Sequence, residues 1–135
     1  MNLSVNAALL YGIVGGVFLA YFPYLFVAAA RFQVGYDMSA PRAMLDKLPP
    51  YAQRATWAHQ NCFEALIIFT AAALMAYVTG VESDWAKISA IAFVISRFLF
   101  SLFYILDIPP LRSLMFGIGS AASFTLFALS LKTLS

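Results

Sequence analysis

Polar residues recur at helical spacing inside an apolar stretch near the middle of the chain. Arg54, Asn61 and Glu64 follow the spacing of residues that share one face of a helix. An arginine fork binds carboxylates, a carboxylate binds an ammonium group, and an amide adds directional hydrogen bonds. This row therefore favours a binding site over a simple structural contact.

A second polar pair lies further along the chain, again within an apolar segment. Arg97 and Tyr104 are separated by two helical turns and share a face. A carboxylate facing lipid costs about 2.5–3.5 kcal/mol, so Glu64 should face the protein interior or a wet cavity. We expect Glu64 to pair with Arg97 there. Three further arginines should gather at the mouth of this site: Arg31, Arg54 and Arg112. A small zwitterionic ligand such as a tripeptide would satisfy all these groups.

Some of these residues also have a purely structural interpretation. A pair formed by Glu64 and Arg97 is equally compatible with a contact that holds helices together. His59 lies off the Arg54 face, which favours a helix–helix hydrogen bond. Cys62 is expected to be a small buried packing residue, and Trp57 an anchor at the membrane interface.

The composition places these residues in a membrane protein. Hydrophobic residues make up 63% of the 135-residue chain, charged residues only 10%, and the mean hydropathy is +0.86. The net charge is only +2, and the sequence has no run of basic residues that could contact the phosphates of a nucleic acid. A single cysteine excludes an internal disulfide, and nothing supplies a set of metal ligands.

Four apolar segments are long enough to cross a bilayer, so we predict an all-α fold, a single membrane domain built as a four-helix bundle. The predicted spans cover about residues 5–30, 51–79, 85–106 and 111–134. Gly80 should cap the second helix, and Ser83 or Asp84 should begin the third. Only the first connection is long. It lies on the side with more Lys and Arg, which predicts a cytoplasmic loop and both termini on the opposite side.

Taken in order, these residues resemble the MAPEG family, the membrane-associated proteins in eicosanoid and glutathione metabolism. The resemblance rests on the second-span pattern RAxxAHxNxxE at residues 54–64, on Arg97 with Tyr104, and on Arg112-Ser113 opening the fourth span. It covers nearly the whole chain and is closest to bacterial-type members. It implies a homotrimer with sites between subunits near the cytoplasmic face.

The resemblance also implies glutathione as co-substrate and a lipophilic molecule or lipid as its reaction partner. Asn61 and Glu64 would hold the peptide backbone and amino group, and Arg112 would be catalytic by stabilising the thiolate. Arg97 would be a supporting buried cation. The remaining contacts would fall on Arg31, Tyr104 and Ser113.

The sequence departs from the pattern of the enzymatic members at a few positions. Trp57 replaces an arginine that would contact a glutathione carboxylate, and Arg54, one turn earlier, is the candidate substitute. Two functions therefore stay open: a glutathione transferase or peroxidase acting on lipophilic electrophiles, and a non-enzymatic lipid-binding or scaffold protein. A small transporter is disfavoured because the chain has no repeat and no pair of broken spans.

Overall fold

Capping residues and glycines set the ends of four long helices in the computed structural model, which describes residues 2–135. Ser4 accepts a hydrogen bond from the backbone N–H of Ala7 at 3.1 Å, and the first helix starts at the next residue. The helices are α1 Val5–Val34, α2 Pro50–Thr79, α3 Asp84–Ile105 and α4 Pro109–Leu134. α1 continues beyond the predicted end of its span, so Arg31 lies in its last turn, where a cation complements the helix dipole.

The short connection between α2 and α3 forms as the sequence predicts. Gly80 ends α2 in the left-handed conformation, with φ of 72°. The Ser83 hydroxyl accepts from the backbone N–H of Trp85 at 3.2 Å and caps α3. At the other end of α3, Asp107 adopts φ of 60° and Pro109 opens α4. Each hairpin therefore reverses the chain within a few residues.

The long connection contains a short 3-10 helix, Pro41–Lys47, which the sequence analysis did not predict. Its Met44 side chain is buried, and so is Leu48 immediately after it. Leu48 packs with Val27 of α1 and Ala52 of α2. These apolar anchors hold the loop against the end of the bundle where α1 finishes and α2 begins.

α2 and α3 form the centre of the bundle, and α1 and α4 lie on opposite flanks of them. Within residues 2–135, α1 and α4 make no contact with each other, whereas each packs against both α2 and α3. The apolar centre is the stacked pair Phe69 and Phe93, whose ring centroids are 3.8 Å apart. α2 therefore presents one face to α1 and another to α4.

Small residues allow the helices to approach closely. A Cβ atom at Gly16 would lie 2.7 Å from Cδ1 of Leu66, so α1 and α2 meet there without room for a side chain. Gly117 makes no such contact, because no described atom lies within 4 Å of a Cβ built there. Gly117 is exposed on α4, where no helix of this subunit faces it.

All four helices are long and apolar enough to cross a membrane. Large apolar side chains are exposed on their outer faces, including Phe18 at 75%, Ile67 at 70% and Val78 at 80%. Such surfaces are unfavourable in water and favourable against lipid. The predicted all-α class and helical bundle are confirmed, with α2 and α3 placing the polar residues beside α4.

Candidate functional site

Asn61, Glu64 and Arg97 form a chain of hydrogen bonds between α2 and α3. Arg97 donates from Nη2 to Oδ1 of Asn61 at 2.8 Å. Asn61 donates in turn from Nδ2 to Oε2 of Glu64 at 3.5 Å. The expected direct ion pair between Glu64 and Arg97 is wrong, because Asn61 stands between them. The reason is position: Arg97 is 2% exposed at the helix contact, while Glu64 points outward and is exposed.

Arg97 lies behind the site instead of lining it. Its Cζ lies 3.9 Å from the centroid of the Phe100 ring, a cation–π contact. Nη2 also donates to Sγ of Cys62 at 3.3 Å, and Cys62 exchanges a further hydrogen bond with Ser101 at 3.3 Å. Cys62 is buried as predicted, but it also receives the Arg97 guanidinium.

Arg112 lies in the first turn of α4, next to the end of α3. Its Cζ lies 4.6 Å from the centroid of the Tyr104 ring. The only salt bridge among residues 2–135 joins Lys87 to Asp84 at 3.5 Å, so no described carboxylate pairs with Arg112. The guanidinium thus keeps charge that a bound anion can neutralise.

These residues line one cavity of about 330 Å³, which we call the polar pocket. It lies between α2, the end of α3 and the start of α4. Five of the predicted site residues line it: Asn61, Glu64, Tyr104, Arg112 and Ser113. A carboxylate on one wall and a guanidinium on another can bind an ammonium group and an anion of the same ligand.

The site residues predicted from the sequence leave out four that line the polar pocket: Trp57, Gln60, Phe100 and Phe116. Trp57 was expected to be a membrane-interface anchor. The signal for two of them was available, since Trp57 and Gln60 share the helical face of Asn61 and Glu64. Phe116 follows Arg112-Ser113 at a position where the family pattern can have a tyrosine, whereas Phe100 gave no signal, because an aromatic residue on an apolar helix is usually packing or lipid-facing. Their presence makes much of the pocket wall aromatic.

Arg54 does not line the polar pocket. Its Nε and Nη2 both donate to the backbone oxygen of Ile105, at 3.2 and 3.0 Å. Ile105 is the last residue of α3, and its carbonyl has no donor within the helix. Arg54 therefore caps α3 from α2 and ties the end carrying Tyr104 to the second helix.

Arg31 lies on the opposite flank of α2, in a separate cavity of about 590 Å³ that we call the α1-side cavity. Arg42 and His59 also line it, and no described acidic residue does. His59 Nδ1 lies 2.6 Å from the backbone oxygen of Ala20, so the predicted contact between helices is confirmed. Within one subunit, then, the structure does not bring Arg31 to Asn61 or Glu64.

The comparison with known families agrees with this architecture. The profile of the MAPEG family matches residues 8–132, which is nearly the whole chain. The chain belongs to the MAPEG family. A search of curated proteins finds no match. With its four apolar helices, this MAPEG protein is a multi-pass membrane protein. The family includes glutathione transferases and peroxidases.

Proposed function

We propose that this MAPEG protein is a glutathione-dependent transferase or peroxidase that acts on lipophilic electrophiles drawn from the bilayer. The observation that carries the proposal is the polar pocket itself. Side chains from three helices converge there, with Glu64 on one wall and the unpaired Arg112 on another. Membership of the MAPEG family supports the proposal, because the family includes glutathione transferases and peroxidases.

Arg112 is the proposed catalytic residue. A guanidinium beside a thiol lowers the pKa of the thiol, because it stabilises the thiolate. No described carboxylate competes for Arg112, and the Tyr104 ring supports it from one side. Ser113, the next residue, also lines the polar pocket and offers a hydroxyl for the sulfur.

The thiolate would react in one of two ways. In transfer, sulfur forms a bond to an electrophilic carbon, and the leaving group departs with its electron pair. In peroxide reduction, sulfur attacks the O–O bond and the alkoxide takes a proton. The resulting sulfenic acid condenses with a second glutathione, giving the disulfide and water. Arg112 stabilises the sulfur anion at the start of either reaction.

Asn61 and Glu64 are proposed to hold the amino end of glutathione. The carboxylate suits the α-ammonium group, and the amide suits the peptide backbone. A smaller cavity of about 140 Å³ shares Asn61, Glu64 and Phe116 with the polar pocket. Its other lining is mainly apolar, including Ile68 and Phe124. That cavity adjoins the polar pocket at the shared residues and is the proposed position of the lipophilic substrate.

The position of Glu64 supports a site shared between subunits of a homotrimer. Glu64 lies at the middle of the 30-residue helix α2, yet its side chain is exposed on the flank of the subunit. A carboxylate left against lipid at that depth would cost about 2.5–3.5 kcal/mol, so a neighbouring subunit should cover it. Arg31 of that neighbour could then reach the pocket and meet a glutathione carboxylate in place of the arginine replaced by Trp57.

The proposed orientation in the membrane follows the distribution of cations. The end of the bundle with the long connection carries most of them: Arg31, Arg42, Lys47, Arg54 and Arg112. The opposite end carries Lys87 and Lys132. The positive-inside rule then places the polar pocket near the cytoplasmic face and both termini on the other side. Glutathione would enter from the cytoplasm.

A second candidate function is lipid binding or scaffolding without catalysis. The aromatic wall of the polar pocket favours it, since Trp57 stands where an enzyme would place an arginine. In that case the hydrogen bonds among Arg97, Asn61 and Glu64 would serve assembly of the bundle or of the trimer.

Thiolate absorbance in the ultraviolet tests the proposed function. The purified protein in nanodiscs is titrated with glutathione below the pKa of the free thiol. We expect a saturable thiolate signal from the wild type and none from Arg112→Ala. Lys132→Ala is the matched control, because it removes a cation from the far end of α4.

Two results would favour the second candidate. One is the absence of both thiolate signal and saturable glutathione binding in the wild type. The other is that Glu64→Ala dissociates the oligomer, as measured by light scattering, and does not change ligand binding.

A further inference from the structure

Arg97 is a charged side chain in the bundle interior, without an acidic partner. It is 2% exposed, and no described carboxylate lies within 4 Å of its nitrogens. A buried guanidinium is costly unless hydrogen bonds or an opposite charge compensate it. The acid it reaches is Glu64, and it does so through the side chain of Asn61.

The guanidinium of Arg97 determines which end of the Asn61 side-chain amide faces the polar pocket. An asparagine carries an acceptor oxygen and a donor nitrogen of nearly equal size, so either end fits sterically. Arg97 can only donate, and therefore it selects Oδ1, at 2.8 Å. The amide nitrogen is left to face Glu64. The reverse orientation would set amide hydrogens against a guanidinium and an oxygen against a carboxylate.

We propose that Arg97 is a positioning residue that acts through Asn61 on Glu64. It holds the amide so that one N–H restrains a Glu64 oxygen, while a second N–H and the other carboxylate oxygen remain for a ligand. The ligand this arrangement selects carries an ammonium group beside a peptide carbonyl. The inference rests on the proposed function for the identity of the ligand, but not for the orientation of the amide.

The guanidinium is itself held in place, which suits it to this role. The Phe100 ring lies 3.9 Å from Cζ on one side, and Sγ of Cys62 accepts from Nη2 at 3.3 Å. A group fixed before the ligand arrives need not be ordered on binding. Arg97 is absent from the lining of the polar pocket, so any effect on a ligand must pass through Asn61 or Phe100.

Side-chain amide NMR tests the orientation without any ligand. The chain has three asparagines, and two of them, Asn2 and Asn6, lie near the N-terminus as internal controls. In Arg97→Met, which keeps much of the apolar stem, the Asn61 amide signals should shift while those of the controls stay. Arg97→Lys, which restores a donor, should return the Asn61 signals toward their wild-type positions. Unchanged Asn61 signals in Arg97→Met would overturn the proposal.

A pair of ligands separates positioning from a structural role. Glutathione is compared with an analogue that lacks only the α-amino group. Arg97→Met should weaken glutathione binding by about tenfold or more, the loss of one charge-assisted contact. The same variant should weaken the analogue less, because the analogue cannot use Glu64 and loses only the contact of its peptide carbonyl with Asn61. Arg54→Met is the matched control, since it removes a guanidinium bonded to Ile105, and any effect should fall equally on both ligands.

Asn61→Asp covers the outcome in which Arg97→Met fails to fold. The aspartate keeps Arg97 paired but replaces the donor facing Glu64 with an acceptor. Glutathione should again weaken by tenfold or more, with the analogue less affected. Equal weakening of both ligands by either folded variant would overturn the proposal. If the wild type binds neither ligand, the proposed function fails, and the Asn61 amide signals in Arg97→Met still decide the inference.

Discussion

The two halves of this bundle use the same four helices in opposite ways. In the half toward the α2–α3 hairpin, Phe69 stacks on Phe93 among small and apolar residues, and buried serine hydroxyls of α4 donate to carbonyl oxygens of their own helix. In the half toward the long connection, Arg97 reaches Glu64 only through Asn61, and no described carboxylate pairs with Arg112. Close apolar packing in the first half can support incomplete pairing in the second, and incomplete pairing leaves groups available to a ligand.

The largest effect on stability is expected from a cavity in the half of the bundle toward the α2–α3 hairpin. Phe69→Ala removes a fully buried ring and the partner of Phe93, which should lower the free energy of unfolding by about 3–5 kcal/mol. Unfolding in mixed detergent measures it. Ile67→Ala is the control, because that side chain is 70% exposed on the outer face. Equal effects of the two substitutions would show that the stacked pair does not carry the stability of this half.

The second-largest effect is expected in the half of the bundle toward the long connection. A substitution there should lower the rate of the reaction and leave the free energy of unfolding unchanged. Arg112→Ala should reduce the rate of glutathione conjugation by about a hundredfold, the usual loss when a charge-stabilising group is removed. Steady-state turnover with a small lipophilic electrophile measures it, together with the unfolding midpoint. Wild-type turnover in Arg112→Ala would remove this residue from the mechanism.

A third substitution tests the close approach at the boundary between the halves. Gly16→Ala places a Cβ atom 2.7 Å from Cδ1 of Leu66, so overpacking should cost about 1–3 kcal/mol of unfolding free energy. In a double-mutant cycle, Gly16→Ala should cost less when Leu66→Ala is already present. Gly117→Ala is the matched control, since open space surrounds that position on α4 and helix propensity favours alanine. A neutral Gly16→Ala would mean that α1 and α2 separate easily there.

The smallest effect is expected for the arginine that the structure moves out of the pocket. Arg54→Ala leaves the carbonyl of Ile105 without its donor, which should cost about 1 kcal/mol of unfolding free energy. Glutathione affinity should change by no more than a few-fold. An affinity loss as large as that of Asn61→Ala would instead make Arg54 a ligand contact.

Local signals explain what could be predicted of the fold. Apolar segments of the length of a bilayer gave the four helices, and Gly80 and Ser83 gave the tight hairpin, because each signal depends on a few neighbouring residues. The 3-10 helix at Pro41–Lys47 escaped prediction. It depends on contacts of Met44 and Leu48 with distant helices, which no local pattern contains.

The candidate site shows the same limit. Helical spacing placed Asn61 and Glu64 together, and Tyr104 with Arg112 lines the same pocket. Spacing could not show that Asn61 would stand between Arg97 and Glu64, because that depends on how far α3 is rotated against α2. Nor could spacing show that the Arg54 fork would face the end of another helix.

Nuclear Overhauser contacts between bound glutathione and the aromatic rings test the central claim most directly. The protein is perdeuterated except for Tyr and Phe and held in deuterated nanodiscs. The account predicts contacts from the glutathione protons to the Tyr104 ring, lost in Tyr104→Leu, whatever a neighbouring subunit adds. Saturable binding with contacts only to Tyr24 or Tyr36 of the α1-side cavity would contradict it.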